Sequence, residues 1–177
     1  GLATINTVAA ITAGAKSADL VVNGLGDRAG NASLEEVVCQ LEILYGINTG
    51  IKLENLTNIS RLVEEISNIK CQPHKAIVGK NAFIHESEFH VLMIEQGFPE
   101  AIEPYVPTIV GQDRQIYYGT TTLHGDALKK RIDNMGLNYT EDHIAKIIDI
   151  LRNELTSKTH VSESELEQIV RRIVQSS

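Results

Sequence analysis

One stretch constrains this chain more than any other: Ala18-Asp19-Leu20-Val21-Val22-Asn23-Gly24-Leu25-Gly26-Asp27-Arg28-Ala29-Gly30-Asn31. It opens with an apolar run long enough for a strand and too short for a helix. Three glycines then alternate with polar side chains. Glycine has no Cβ, so this loop can turn sharply and bring its backbone close to a ligand. Ser33-Leu34-Glu35-Glu36 follows. Ser33 can cap a helix and Glu36 can reach back to its amide, the signature of a capping box. Strand, polar glycine loop and helix make a β/α unit, and ligands of β/α folds gather at the carboxyl ends of the strands. The loop offers Asn23, Asp27, Arg28 and Asn31 as binding groups, with a solvated tight turn as the plainer reading.

One strand makes no sheet, because its edges need partners. The unit is flanked by helices. Residues 2–15 carry Leu2, Ile5, Val8 and Ala9 on one face, and residues 34–45 carry Leu34, Val37, Val38 and Leu41 until Gly46 stops them. The spacing also predicts a helix over residues 54–68 with Ile59, Leu62, Val63 and Ile66 as its apolar stripe. Ile116-Tyr117-Tyr118 reads as a short strand. A loop and then a helix occupy residues 120–135. Thr140 caps a helix striped by Ile144, Ile147, Ile148 and Leu151. Ser162 and Glu165 form a second capping box, ahead of Leu166, Ile169, Val170 and Ile173. The chain begins at Gly1 in mid-pattern, which suggests a piece of something longer.

A second chemical stretch is Asn81-Ala82-Phe83-Ile84-His85-Glu86-Ser87-Glu88-Phe89-His90. The two histidines are five apart. That is neither the i, i+4 pair of a helical zinc site nor the His-x-His of one strand face. Histidine suits proton transfer because it titrates near neutrality. Structural histidines at an interface or a helix end fit the same pattern.

Charge narrows the partners. With 23 acidic and 16 basic side chains the net charge is −7, which opposes nucleic acid as the partner. No apolar run approaches a membrane span and no signal peptide is evident. Cys39 and Cys71 show no zinc or redox spacing, so a cytoplasmic location is the simple expectation.

The chain resembles the family of 2-isopropylmalate, homocitrate and citramalate synthases. The resemblance rests on residues 1–6, on residues 23–37 from Asn23-Gly24-Leu25-Gly26-Asp27-Arg28 to Val37, on Lys75-Ala76-Ile77-Val78-Gly79, and on Ala82-Phe83-Ile84-His85-Glu86-Ser87 with His90. It extends through the helical tail. It implies an α/β fragment, mostly helical: the last β/α unit of a (β/α)8 TIM barrel followed by small helical α+β subdomains. Residues 1–46 would end the barrel, with residues 18–23 as strand eight. Residues 47–112 would form a linker and first subdomain reaching a dimer partner, and residues 113–177 a second, helical subdomain.

The implied activity is condensation of acetyl-CoA with a 2-oxo acid on a divalent metal (Mg, Mn or Zn). Of the ligands the resemblance implies, an aspartate, a His-x-His pair and an asparagine, the chain holds only the asparagine, Asn31. The barrel's N-terminal segment would supply the others, from the same polypeptide or a separate subunit, and a homodimer is implied. His90 matches the family's candidate base, while Asn23, Asp27, Arg28, His85, Glu86 and Tyr105 would order loops or touch substrate. The surroundings depart from the family pattern. Ser-Gly-Ile-His-x-Asp-Gly is Ser87-Glu88-Phe89-His90-Val91-Leu92-Met93 here, and a tyrosine expected near residues 101–102 has Tyr105 as its nearest substitute. A Gly-Lys-His-Ser-Gly segment is replaced by residues 119–125 with His124, and Asp27 stands for a glutamate. A non-catalytic subunit, or a dimerisation and regulatory module of such an enzyme, is the alternative.

Overall fold

The computed structural model describes residues 1–123 and 125–175. The sequence expectation at His124 lies outside them. The chain divides into two units: Gly1–Ala82 with Pro107–Asp113, and Phe83–Val106 with the described residues from Arg114 onward.

In the first unit, α1 (Ala3–Thr12) and α2 (Leu34–Cys39, continuing as one wide turn over Gln40–Leu44) flank the glycine loop. Val8, Ala32, Val37 and Leu41 form a small core with Ile11 and Leu20 against it. Of the face expected on α1, only Val8 is buried, and Leu2 and Ile5 lie in solvent. Residues 18–23 do not build a strand. Val21 is extended and makes a single parallel bridge to Ser33, after which Val22–Gly24 turn as 3-10 helix. An extended segment becomes a strand only when a neighbour offers it a ladder, and the described residues place none beside it.

The capping box at Ser33 is also corrected. Ser33 occupies the cap position of α2, but its hydroxyl accepts from Lys75 Nζ at 3.0 Å instead of bonding a helix amide. Glu36 accepts from Lys75 at 2.8 Å and from Thr4 at 2.7 Å. A long-range cation has captured both halves of the motif.

Helix α3 (Leu56–Ser67) sits where its periodicity placed it, but with its faces reversed. Leu56, Thr57 and Ser60 are buried, whereas Leu62 is 53% and Ile66 77% exposed and Ile59 is exposed too. Polar bonding explains the orientation. The Thr57 hydroxyl donates to the Val110 carbonyl at 2.6 Å, and the Ser60 hydroxyl donates to the Asn23 amide oxygen at 2.5 Å.

The second unit carries the larger core. Strand β1 (Ile84–His85) pairs in parallel with β2 (Gln115–Tyr118), with Ile84 opposite Gln115 and His85 opposite Ile116. Strand β3 (Val161–Ser162) pairs antiparallel on the other edge of β2. Helices α4 (Glu88–Glu95), α5 (Asp126–Asn134), α6 (Glu141–Glu154) and α7 (Glu163–Gln175) complete the unit. Tyr118, Leu128, Ile132, Ile147, Leu151 and Leu166 are among its fully buried side chains. Both expected caps form: Thr140 accepts from the His143 amide at 3.3 Å, and Ser162 and Glu165 bond reciprocally. Half-buried Arg131 gathers Glu95, Glu163 and Glu167 around its guanidinium. Among the described residues no helix is long and apolar enough to cross a membrane.

Candidate functional site

The loop of the first unit is built by close backbone approach. Gly30 has φ +87°, and a Cβ there would lie 2.1 Å from the Gly24 carbonyl oxygen. Gly26 is bare for a different reason: the Asn31 amide lies across it, and a Cβ would meet Asn31 Nδ2 at 2.1 Å. The Asn31 backbone N–H donates to the Gly24 carbonyl at 3.0 Å, which closes the loop. Asn31, Asp27 and Arg28 are exposed, and Arg28 stands at φ +58°.

Asn23 has a different fate. Its amide nitrogen donates to the Ser60 carbonyl at 3.0 Å, its amide oxygen accepts from the Ser60 hydroxyl, and its backbone N–H donates to Glu35 at 3.1 Å. With φ +63°, Asn23 orders the loop through α3 and α2. Glu35 is 1% exposed and faces Lys75 Nζ at 3.1 Å. Burial pushes the Glu36 carboxyl up, but the hydrogen bonds from Lys75 and Thr4 outweigh it and hold the group below its ordinary value. Burial likewise disfavours the Lys75 ammonium, and Glu36 and Glu35 outweigh that and raise its pKa. An open, polar cleft of about 410 Å³ beside this pair is lined by Asn23, Leu25, Glu36, Cys71 and Lys75.

In the second unit the histidines converge. His85 ends β1, Ser87 caps α4 by accepting from the His90 amide at 3.3 Å, and His90 lies in the first turn of α4. This strand-to-helix turn folds the five-residue gap until the two Nδ1 atoms stand 3.3 Å apart. The rings meet edge to face, with centroids 5.4 Å apart. On its other side His85 Nε2 lies 2.9 Å from Glu103 Oε1. Arg114 grips Glu103 with two hydrogen bonds, Nε at 2.8 Å and Nη2 at 2.5 Å. Such a forked pair fixes the carboxylate in orientation as well as position.

The electrostatics follow from this packing. Burial holds the His85 pKa below its ordinary value, against the pull of Glu103. Burial would raise the Glu103 carboxyl, but its bonds to Arg114 and His85 win and hold it down. Glu103 is therefore an ionised acceptor.

The other expected site residues are more peripheral. Glu86 is half-buried, and its carbonyl accepts from the Thr121 hydroxyl at 3.1 Å. Tyr105 stands edge-on to Phe83, with centroids 5.7 Å apart. Glu88, at the family's glycine position, accepts from the Ala127 amide at 2.8 Å and so caps α5. Burial pushes the Cys39 thiol up to about 12, which makes it a core group and no nucleophile.

The structure thus brings His85 and His90 together with two residues that sequence reasoning missed, Glu103 and Arg114. It gives Asn23 three bonds that order the loop and leaves Asn31, Asp27 and Arg28 open. No local signal could have found Glu103, which lies 18 residues from His85 in sequence. Among the described residues no group of three or more His, Cys, Asp or Glu could hold a metal ion. The exposed Asn31 amide is a suitable hard oxygen donor, but it is one of the roughly six that such an ion takes.

Comparison with known proteins places two family profiles end to end. Residues 1–63 match HMGL-like, and residues 77–159 match the homocitrate synthase post-HMGL domain-like family. The (R)-citramalate synthase of Methanocaldococcus jannaschii is 42% identical over 98% of this chain and 35% of that protein. A homocitrate synthase of Methanopyrus kandleri is 39% identical over 99% of this chain and 44% of that protein. A 2-isopropylmalate synthase of Methanocaldococcus jannaschii is 38% identical over 98% of this chain and 34% of that protein. The chain therefore spans between about a third and under half of the length of these relatives.

Proposed function

Because the chain belongs to the family of 2-isopropylmalate, homocitrate and citramalate synthases, we propose that it works as part of an acetyl-CoA-dependent enzyme that condenses the acetyl group with a 2-oxo acid. In this reading residues 1–46 close a (β/α)8 barrel whose other strands lie on an N-terminal segment. Residues 47–112 form the linker and first subdomain reaching a dimer partner, and residues 113–177 the second, helical subdomain. The extended conformation of Val21 fits the barrel reading; its own N–H and C=O are taken by Ala32 and Leu34, so a further strand would pair through the residues on either side of it. The exposed apolar side chains of α1 and α3 give a covering partner something to bury.

The observation that carries the catalytic reading is the hydrogen-bonded chain Arg114–Glu103–His85 ending on His90. The reaction needs a base to take a proton from the acetyl methyl group; the enolate then attacks the 2-oxo carbon, the resulting alkoxide takes up a proton, and water hydrolyses the thioester to release CoA. His90 is that base. A divalent metal (Mg, Mn or Zn), when bound, would polarise the 2-oxo group, with Asn31 as one oxygen ligand and the rest from the barrel segment. Asp27 and Arg28 border the same loop, and Asn23 holds it through Ser60 and Glu35. His85 orients the base, while Glu86 and Tyr105, on the same unit, would order loops or touch substrate. The complete enzyme would be a cytoplasmic homodimer acting on small molecules.

The test combines the chain with a polypeptide carrying the missing strands and follows CoA release against a panel of 2-oxo acids. We expect activity that falls at least about 10²-fold in His90→Ala. Asn31→Ala should lose activity that extra metal restores. Activity unchanged by His90→Ala would remove His90 as the base. A stable complex with no condensing activity would instead favour a non-catalytic subunit, a role compatible with the structural use of Glu88.

A further inference from the structure

The geometry points to a positioning role for His85: backed by Glu103 and Arg114, it dictates which ring nitrogen of His90 carries the proton. The donors and acceptors along this chain fix its tautomers. Glu103 is gripped by Arg114 through both carboxylate oxygens and can only accept. His85 Nε2, 2.9 Å from Glu103 Oε1, must therefore carry a hydrogen. His85 is 8% exposed, its environment opposes a second proton, and so its Nδ1 is bare. A bare Nδ1 of His85 faces Nδ1 of His90 at 3.3 Å. Two lone pairs would repel at that distance, so His90 Nδ1 must be the donor. A neutral imidazole holds one ring proton, and with it on Nδ1 the Nε2 of His90 is left as a lone pair. Among the described residues that nitrogen has no hydrogen-bond partner.

The consequence is chemical. Free imidazole side chains favour the opposite tautomer, with the hydrogen on Nε2, and a ring in that form offers no outward base. The groups facing His85 are Glu103, Arg114 and His90, and together they select the form of His90 with its outward nitrogen bare. If His85 were doubly protonated, its Nδ1 would donate and His90 would switch to Nε2–H. The tautomer assignment stands by itself. Its catalytic meaning rests on the proposed role of His90 as base.

The test is nitrogen NMR on the full chain labelled with ¹⁵N-histidine. In the unmodified chain at pH 7.5, His90 should show a protonated Nδ1 and a bare Nε2. His85→Leu should return His90 to predominantly Nε2–H. His85→Asn, whose amide oxygen can still accept from His90 Nδ1, should restore the bias. A wild-type spectrum with Nε2–H on His90, or a tautomer indifferent to His85→Leu, would overturn the proposal. The wild-type spectrum decides even if a variant fails to fold. In the combined enzyme His85→Leu should lower kcat by about 10-fold or more at little changed KM. Condensing activity that is absent altogether, beside the expected wild-type spectrum, would refute the role of His90 as base and leave the tautomer assignment standing.

Discussion

In the second unit α6 and α7 put Ile144, Ile147, Leu151, Leu166 and Val170 into one shared cluster with Tyr118 and Val161 of the sheet. In the first unit α3, an equally amphipathic helix, holds Thr57 and Ser60 inside and leaves Ile59, Leu62 and Ile66 in water. All three helices obey the same periodicity. The difference is what each unit finds to pack against. The second unit closes on itself by apolar burial. The first has a smaller apolar core, is tied further by polar bonds, Lys75 to Glu35 and Glu36, and Asn23 to Ser60, and keeps the apolar stripe of α3 outward. That exposed apolar surface is what the barrel proposal asks a neighbour to cover.

This contrast can be broken in four places. Lys75→Met should cost most, about 3–5 kcal/mol, because it leaves the Glu35 carboxylate buried without its cation. Hydrogen exchange of α2 and α3 should accelerate while α6 and α7 stay protected. Leu151→Ala should produce the converse pattern, with about 3 kcal/mol lost from the second unit through a cavity in its core and α2 unaffected. If either variant loosened both units equally, the separation of their cores would be wrong.

Acid should then act on the second unit by a smaller amount. His85 is held below its ordinary value of 6.5 by burial, and Glu103 below 4.5 by Arg114 and His85. For both groups the unfolded chain binds more protons than the folded one. Their stability contribution is thus complete above about pH 6.5 and is lost as pH falls through the depressed values. Urea melts at pH 7.5 and pH 5 should show the loss, and His85→Leu should reduce it. Smallest of all, Leu62→Glu combined with Ile66→Glu should change the chain's own stability by less than about 0.5 kcal/mol, since both side chains are already in water. The same double variant should weaken association with the barrel polypeptide.

The parts legible in sequence were those whose determinants are local. Thr140 and the Ser162–Glu165 box announced α6 and α7, and each apolar stripe there packs into or against the core as its spacing required. The loop at residues 23–31 was legible because Gly30 must approach Gly24 so closely. What sequence could not show was set by distant partners. The stripe of α3 gave the helix but the wrong inner face, because Thr57 and Ser60 bond to Val110 and Asn23, far away in the chain. The Ser33 box was undone by Lys75, 42 residues on. Strands β1 and β3 have two residues each, too short to carry a period. The histidines were visible as candidates, whereas Glu103 and Arg114, which give them their chemistry, carried no mark until the chain was folded.

The most direct measurement is hydrogen exchange of the chain with and without the polypeptide that carries the remaining barrel strands. The account predicts new protection over α1, residues 18–31 and the outer face of α3, with α6 and α7 unchanged. Exchange over the first unit that is identical in both samples, at concentrations where the two polypeptides are shown to associate, would contradict it.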